Sequence, residues 1–321
     1  MDKDNSVYVA MTAGILSIIL LLLAGWLLVF GNKDNNTEEN EGSTQASSET
    51  DMSLESVSAA SEGSSEQAEP VAVTKTVSGN SFYVTKGAVL KDVYKDVEFD
   101  VKSQLNEMSA YWVANNMAAV SELAHLDRFE AMSYSLNYIN DFYYYGEIDS
   151  KGVPNGKGIA VYRDDCYYYG DWSDGVRSGT GSWVNFYPEY NNYVVTEHSY
   201  TGAWSEDLPA GEGQEHYDYN LEMMNPEDVY LQNAIGKFKD GKYDGEMYII
   251  RIDTEGYTSE WVGICEEGKW KPVSEASNDD EGKIPVLSSK DDSDVHIYMT
   301  EEGLTDNGIS GISTGGKIKE N

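Results

Sequence analysis

A glycine-rich loop, four histidines and many carboxylates are the residues of this chain that could do chemistry. The loop from Gly152 to Gly158 reads Gly-Val-Pro-Asn-Gly-Lys-Gly and has the glycines and the lysine of a phosphate-binding loop. Such a loop cradles phosphates with backbone amides and holds magnesium with a hydroxyl after the lysine. Here the spacing is one residue short, and Gly158 stands where the hydroxyl is needed. The loop therefore predicts a turn and not a nucleotide site.

The histidines and carboxylates do not indicate a metal site or a catalytic site either. The histidines are His125, His198, His216 and His296. No two of them have metal-site spacing, and the acidic runs at 279–281 and 291–292 lack the glycine and closing Glu of a calcium loop. The sequence has neither a nucleophile elbow nor a Cys–His signature. It also indicates no pocket that would hold two carboxylates as a glycosidase pair. The sequence predicts no catalytic residue, no cofactor and no metal ion, and a protein that is not an enzyme.

Alternating aromatic and glycine residues define the elements in the middle of the chain. The segment from Tyr168 to Gly181 reads Y-Y-G-D-W-S-D-G-V-R-S-G-T-G. Alternation with period two indicates strands, and the Asp174–Gly175 step between them is a hairpin signal. A glycine after the turn lets an aromatic ring lie flat on the backbone. We therefore expect Gly179→Val to force the ring away and to destabilise the protein by a few kcal/mol.

The same pattern occurs five times, in copies that begin near Tyr144, Tyr168, Tyr200, Gly236 and Trp261. The third copy has Asp207 where the turn glycine stands, the fourth has Met247 for its last glycine, and the fifth stops early. The glycines at the repeat positions are Gly146, Gly156, Gly158, Gly170, Gly175, Gly179, Gly181, Gly202, Gly211, Gly213, Gly236, Gly241, Gly245 and Gly263. A recurring unit of this kind predicts a repeat architecture.

This pattern, over roughly residues 142 to 270, resembles the MORN (membrane occupation and recognition nexus) repeat family. The resemblance implies an elongated antiparallel sheet of successive hairpins and an interaction role rather than catalysis. MORN repeats elsewhere accompany lipid kinase domains, but no stretch of this chain is left over for one. We place the repeat domain at 142–272 and expect a mainly β fold.

Residues Val7 to Phe30 carry no charge. A helix of about 24 residues is about 36 Å long and can cross a hydrocarbon core of about 30 Å. A buried core helix would need a polar face, and a cleaved signal peptide would be shorter and end in small residues, unlike Trp26 to Phe30. We predict a single-pass transmembrane helix at 7–30 after a short tail at 1–6.

The orientation follows from the flanking segments. Lys3 and Lys33 nearly cancel in the positive-inside rule. Because the region beyond the helix is long and acidic, we expect the N-terminus inside and the C-terminal region outside the cytoplasm. Residues 31–75 are rich in Ser, Glu, Thr and Asn, which predicts a disordered acidic linker. Composition likewise predicts a mostly disordered tail at 273–321, with an isolated strand at 295–299.

A short α-helical segment is expected at 76–141, between the linker and the repeats. Val101, Leu105, Met108 and Trp112 step by four, three and four, which places them on one helix face. The run 127–130 reads Asp-Arg-Phe-Glu and resembles a capping box that opens a last helix. We expect two or three helices between about 97 and 136, packed on themselves or on the first hairpin.

The net charge of −34 limits the partners. An acidic chain repels phosphates, so we expect no nucleic acid partner, and anionic lipid headgroups are disfavoured in the same way. Two cysteines are too few for a disulfide framework. Since Cys166 and Cys265 belong to distant repeats, we expect them not to pair.

The tyrosine runs 143–145 and 167–169 place neighbouring rings on opposite faces of the sheet. Two interpretations remain open. Either both sets are needed because a thin sheet has little core, or one set forms a groove for a peptide or glycan. The candidates for partner contact are Tyr145, Tyr169, Trp172 and Trp204.

We therefore expect a membrane-anchored, non-enzymatic module at the cell surface that binds a protein or a glycan. The alternative is a structural spacer or assembly protein of the cell envelope. The oligomeric state, which separates the two, does not follow from the sequence.

Overall fold

The computed structural model describes residues 91–186, 188, 194–275 and 282–319. The predicted tail 1–6, transmembrane helix 7–30 and linker 31–75 lie outside these residues. Within the described part of the chain, none of the helices has the length and apolar character needed to cross a membrane.

Among the described residues, three complete helices precede the sheet: α1 (Val101–Val113), α2 (Met117–Ala124) and α3 (Asp127–Ser135). The four apolar residues of the α1 stripe are all buried. Asp100 caps α1 by accepting a hydrogen bond from the Ser103 amide at 2.6 Å. The predicted capping box at 127–130 is wrong, since Leu126 is the N-cap and makes no side-chain bond. Asp127 lies inside the first turn, where a carboxylate is favoured by the helix dipole.

One sheet of twelve strands follows, and its hydrogen-bonded neighbours are sequence neighbours from β1 to β9. All of these pairs are antiparallel. The strands are β1 (Phe142–Ile148), β2 (Pro154–Tyr162), β3 (Cys166–Ser173), β4 (Val176–Phe186), β5 (Val195–Ser205), β6 (Leu208–Tyr219), β7 (Val229–Lys239), β8 (Lys242–Asp253), β9 (Thr258–Glu266), β10 (Lys269–Trp270), β11 (Ile284–Ser289) and β12 (His296–Met299). The predicted mainly β fold, an antiparallel sheet of successive hairpins, is confirmed.

In the second to fifth hairpins, a two-residue turn with positive φ at both positions joins the two strands. Asp174 and Gly175 have φ of 51° and 85°, and Glu206 and Asp207 have 51° and 71°. This turn geometry matches the natural twist of antiparallel strands. The second turn residue also donates its amide to the preceding hairpin, as Asp207 does to the Arg177 carbonyl at 3.1 Å. Successive turns are therefore tied together along one edge of the sheet, which we call the turn edge.

The sheet has two different faces. The ring face carries a buried aromatic cluster that includes Tyr168, Trp183 and Tyr200. On the other face, α1 to α3 pack over the first four strands and bury Ile159 and Val184 among others. We call this second face the helix face. The molecule thus has two layers over β1 to β4, and the helices add a second core there.

The tail after residue 272 differs from the prediction. Residues predicted to be mostly disordered form β11 and β12, and the strand predicted as isolated is paired with β11. Val286 and Leu287 are buried against the end of the sheet. This apolar run extends the core without any glycine or aromatic repeat, which is why the repeat pattern did not reveal it.

Residues 307–319 then run back from the turn edge to the beginning of β1 in an extended segment, which we call the strap. Gly308 forms a bridge with Lys242, and Ile318 forms a bridge with Phe142 on β1. The strap therefore passes from the last repeat back to the first.

Cys166 and Cys265 are both buried, on β3 and β9, and no disulfide joins them. The expectation that they do not pair is confirmed.

Candidate interaction surfaces of the repeat sheet

A row of glycines crosses the sheet from β1 to β9, each one opposite the next across a strand pair. The row is Gly146, Gly158, Gly170, Gly181, Gly202, Gly213 and Gly236, then Met247, then Gly263. A Cβ atom on Gly170 would lie 2.5 Å from the Gly181 Cα atom and 2.4 Å from Tyr168 Oη. A side chain in this row would displace both the neighbouring strand and the ring above it.

Tyrosine rings cover the row in the first three repeats. A Cβ on Gly181 would lie 2.3 Å from Tyr168 Oη, and a Cβ on Gly213 would lie 2.3 Å from Tyr200 Oη. Each ring lies on two glycines of one hairpin, and each hydroxyl donates to a backbone carbonyl three residues further on. For Tyr168 this carbonyl belongs to Asp171, at 2.9 Å.

Tryptophans tie each repeat to the one before it. Trp172 Nε1 donates to the Gly158 carbonyl at 3.2 Å, and Trp204 Nε1 donates to the Gly181 carbonyl at 3.1 Å. The Tyr168 ring meets Trp172 and Trp204 edge-on, with centroids 5.3 and 5.0 Å apart. Both indoles are buried, with only 3% and 4% of their surface exposed.

Of the four rings named as candidates for partner contact, two are buried and two are partly buried. Trp172 and Trp204 lie inside the ring-face core. Tyr145 and Tyr169 point to the helix face, where they pack partly buried against the helical core. Trp112 of α1 stacks on Tyr169 at a centroid distance of 5.9 Å. The alternation of faces was predicted, but the helices that cover one face at β1 to β4 were not assigned to it.

The fourth repeat fills its ring position differently. Ala234 occupies the place of the tyrosine, and Met247 breaks the glycine row. A Cβ on Gly236 would lie 2.6 Å from Met247 Sδ, so the methionine side chain covers this glycine instead of a ring. The small alanine leaves room for the thioether, and the two departures from the pattern compensate each other.

Gly179 has a different role from the one expected. A Cβ there would meet the Asp171 side chain, 2.7 Å from Oδ2, and no ring. Gly179 also has a φ of 60°, a left-handed backbone conformation that favours glycine. Asp171 is held by Lys157 Nζ at 2.7 Å and by the Thr180 amide at 2.9 Å. The ring contact predicted for Gly179 belongs to Gly181.

A buried ion pair replaces glycine at the third turn. Arg177 Nε lies 3.2 Å from Asp207 Oδ1, and Arg177 Nη2 donates to the Asp207 carbonyl at 2.9 Å. The guanidinium also lies over the rings of Tyr162, Tyr168 and Trp204, 5.0 to 5.7 Å from their centroids. Asp207 keeps the left-handed turn conformation because its carboxylate has these partners. The sequence showed only that the usual glycine was missing.

A buried carboxylate lies further along the ring face. Glu215 accepts from Tyr217 Oη at 3.0 Å and from Tyr243 Oη, and His198 Nε2 lies 2.8 Å from its Oε1. Glu215 and His198 have no exposed surface. Burial and the charge of Glu215 raise the pKa of Tyr243. The cluster satisfies a charge in the core, in agreement with the rule that buried polar groups are paired.

A second histidine, His216, lies on β6, on the part of the helix face that extends past the helices. His216 Nδ1 is 2.8 Å from Asn233 Oδ1, and Nε2 is 3.2 Å from Asp218 Oδ1. Burial favours neutral imidazole, but the hydrogen bond and charge of Asp218 outweigh it, so the pKa of His216 is raised. Burial, with the nearby charge of Asp218, raises the pKa of Glu197 beside it. Among the described residues, no three His, Cys, Asp or Glu side chains are grouped as a metal site would require.

The sequence profile of the MORN repeat matches residues 144–167, 168–184 and 200–218. These matches support the MORN repeat family. Repeats of this family commonly act as interaction modules. The matches stop before the fourth hairpin, where Ala234 and Met247 depart from the pattern. No curated protein matches the chain.

We predict that Gly181→Ala lowers the free energy of unfolding by about 1–3 kcal/mol, because the added methyl group cannot share space with the Tyr168 ring. Gly303→Ala is the matched control, since neither glycine has a positive φ and a Cβ on Gly303 meets nothing closer than 3.7 Å. Urea denaturation of the two variants measures the difference. Equal midpoints would contradict the steric account.

The compensation in the fourth repeat is tested by a double-mutant cycle. Met247→Gly alone opens a cavity and costs about 2–5 kcal/mol, and Ala234→Tyr alone overpacks the site. Together they rebuild the tyrosine-over-glycine unit, so we expect a favourable coupling energy of about 0.5–3 kcal/mol. Additive losses in denaturation experiments would show that the two positions do not share one space.

The raised pKa of His216 predicts a pH-dependent contribution to stability. A histidine whose folded pKa exceeds the unfolded value of about 6.5 stabilises the protein below that value. This contribution disappears as the pH rises through the folded pKa. The stability difference between wild type and His216→Gln should therefore be larger at pH 6 than at pH 9, and Asp218→Asn should reduce this dependence. A difference that is the same at both pH values would contradict the Asp218–His216 interaction.

Proposed function

We propose that this chain is a non-enzymatic, membrane-anchored repeat protein that binds a protein or glycan partner at the cell surface. The MORN repeat matches support an interaction role. The uncharged run at 7–30 and the acidic stretch at 31–75 support an anchor and a spacer. In this proposal the C-terminal region lies outside the cytoplasm and the repeat sheet is displayed away from the membrane.

The proposal rests mainly on the surface that the helix face presents beyond β4. One in-register row crosses this face through Thr201, Gln214, Ile235, Tyr248 and Val262. Thr201 is exposed and the other four are half-buried. We call this surface, on β5 to β9, the open face. In β1 and β3 the same row contains Tyr145 and Tyr169, which the helical core covers.

The charges of the open face indicate the chemistry of its partner. Glu212 pairs with Lys237 at 3.7 Å and Glu260 pairs with Lys290 at 3.4 Å. Lys290 Nζ also lies 4.5 Å from the centre of the Tyr248 ring. Further carboxylates flank the row at Glu197, Asp218 and Glu246. A neutral or basic ligand with apolar groups complements this surface, whereas an anionic ligand meets repulsion.

We predict that a photo-crosslinking residue in place of Tyr248, in the full chain on intact cells, gives a discrete adduct. The same residue in place of Tyr257, which is 69% exposed in the turn before β9, is the matched control and should give none. A membrane-impermeant lysine reagent should also label the repeat region of these cells.

Adducts of equal yield at both positions, or none at 248, would contradict the open face as the docking surface. Adducts only with further copies of the chain would favour the alternative of an assembly protein of the cell envelope. Labelling only after the membrane is opened would contradict the proposed orientation.

A further inference from the structure

The strap, residues 307–319, runs from the turns at Gly268, Gly241 and Asp207 to the beginning of β1, at Asp141 and Phe142. Its backbone amides and carbonyls make most of the contacts. The sheet groups that bind it are the carbonyls of Gly268, Gly241 and Phe142, the amides of Tyr243 and Phe142, the Arg177 guanidinium and the carboxylates of Asp207 and Asp141. Because these bonds go to the strap backbone, they require an extended chain more than a particular sequence.

Two glycines of the strap are required by close backbone contact. A Cβ on Gly308 would lie 2.5 Å from the Gly241 carbonyl oxygen. A Cβ on Gly316 would lie 1.6 Å from the Asn140 carbonyl oxygen. No side chain fits at either place, so the surface under the strap selects glycine at both positions.

A lysine fixes the end of the described strap. Lys319 Nζ lies 2.8 Å from Asp141 Oδ2, while the Lys317 amide donates to Asp141 Oδ1 at 3.1 Å. The hydrogen bond from Lys319 is the main cause of the lowered pKa of Asp141, which burial opposes. The carboxylate of Asp141 is thus a buried acceptor that is satisfied by the strap.

The strap adds no fully buried residue to the core, although Ile309 and Ile312 pack partly buried against the ring-face cluster. Each of its residues is half-buried or exposed, whereas Leu304 just before it is buried. A cavity of about 200 Å³ remains between the strap residues Ile309 and Ile312 and the turns at Pro209 and Gly241. Segments with few buried contacts open at a lower free energy than the whole fold. The strap can therefore leave the surface under it while the sheet stays folded.

We propose that the surface under the strap, from the turns at Gly268 and Gly241 to the beginning of β1, is a binding site for an extended peptide segment of a partner protein. The segment has glycine at its first and ninth positions and lysine at its twelfth, as Gly308, Gly316 and Lys319 have in the strap. The strap is the resident occupant, and the partner segment displaces it. This site lies at the turns and at the beginning of β1 and uses none of the open-face residues, so it stands or falls separately from the proposed function.

The test compares Gly316→Ala with Gly315→Ala in the full chain. Both glycines have positive φ, 93° and 72°, but a Cβ on Gly315 meets nothing within 4 Å. Gly316→Ala should release the strap and leave the site intact. A fluorescent peptide of residues 305–319 should then bind Gly316→Ala at least about tenfold more tightly than it binds wild type or Gly315→Ala. The peptide with Lys319→Ala should bind more weakly, as should the protein with a second change, Asp141→Asn.

Equal peptide affinity for the two glycine variants, or no binding to either, would overturn the proposal. Amide hydrogen exchange of the wild-type chain gives an independent result that does not depend on the variants folding. The strap amides of Ile309, Gly315 and Lys317 should exchange faster than the turn amides of Asp207 and Gly241. If all five amides exchange at one common rate, the strap is a permanent part of the fold, and this result would also overturn the proposal.

Discussion

Tyrosine rings pack directly on the backbone of the glycine row. The rest of the structure depends on this contact. The row of glycines leaves a strip of bare backbone across β1 to β7, and Tyr144, Tyr168 and Tyr200 lie on it. A sheet of hairpins has no second sheet to pack against on this face. Rings on the strip bury apolar surface within each hairpin, so every repeat carries part of its own core.

Hydrogen bonds and an ion pair connect one repeat to the next. Trp172 and Trp204 donate to carbonyls of the preceding glycine row, and the turn amides donate to the preceding hairpin. The Arg177–Asp207 pair adds a buried charge to the same connection. Removing one partner of such a pair leaves the other charge buried and unpaired, which is strongly destabilising. Each repeat contacts its neighbours in a linear array, and the open face extends across β5 to β9 of that array.

The sequence predicted features that are local. The Asp174–Gly175 turn, the alternation of faces and the helical stripe from Val101 to Trp112 each follow from residues close together in the chain. Contacts between distant segments could not be predicted in this way. Nothing near Tyr169 indicates that Trp112 covers it, and nothing near Asp141 indicates that Lys319 binds it. The Gly- and Ser-rich composition of the strap is typical of disordered segments, and only the surface under the strap gives its glycines a steric meaning.

The central claim is that the Tyr168 ring makes a side chain at position 181 costly. The most direct measurement is the cost of Gly181→Ala in urea denaturation when Tyr168 has already been replaced by alanine. The account predicts that this cost falls by about 1–3 kcal/mol relative to the cost in the wild-type background, because the ring that the methyl group would displace is gone. The same cost in both backgrounds would contradict it.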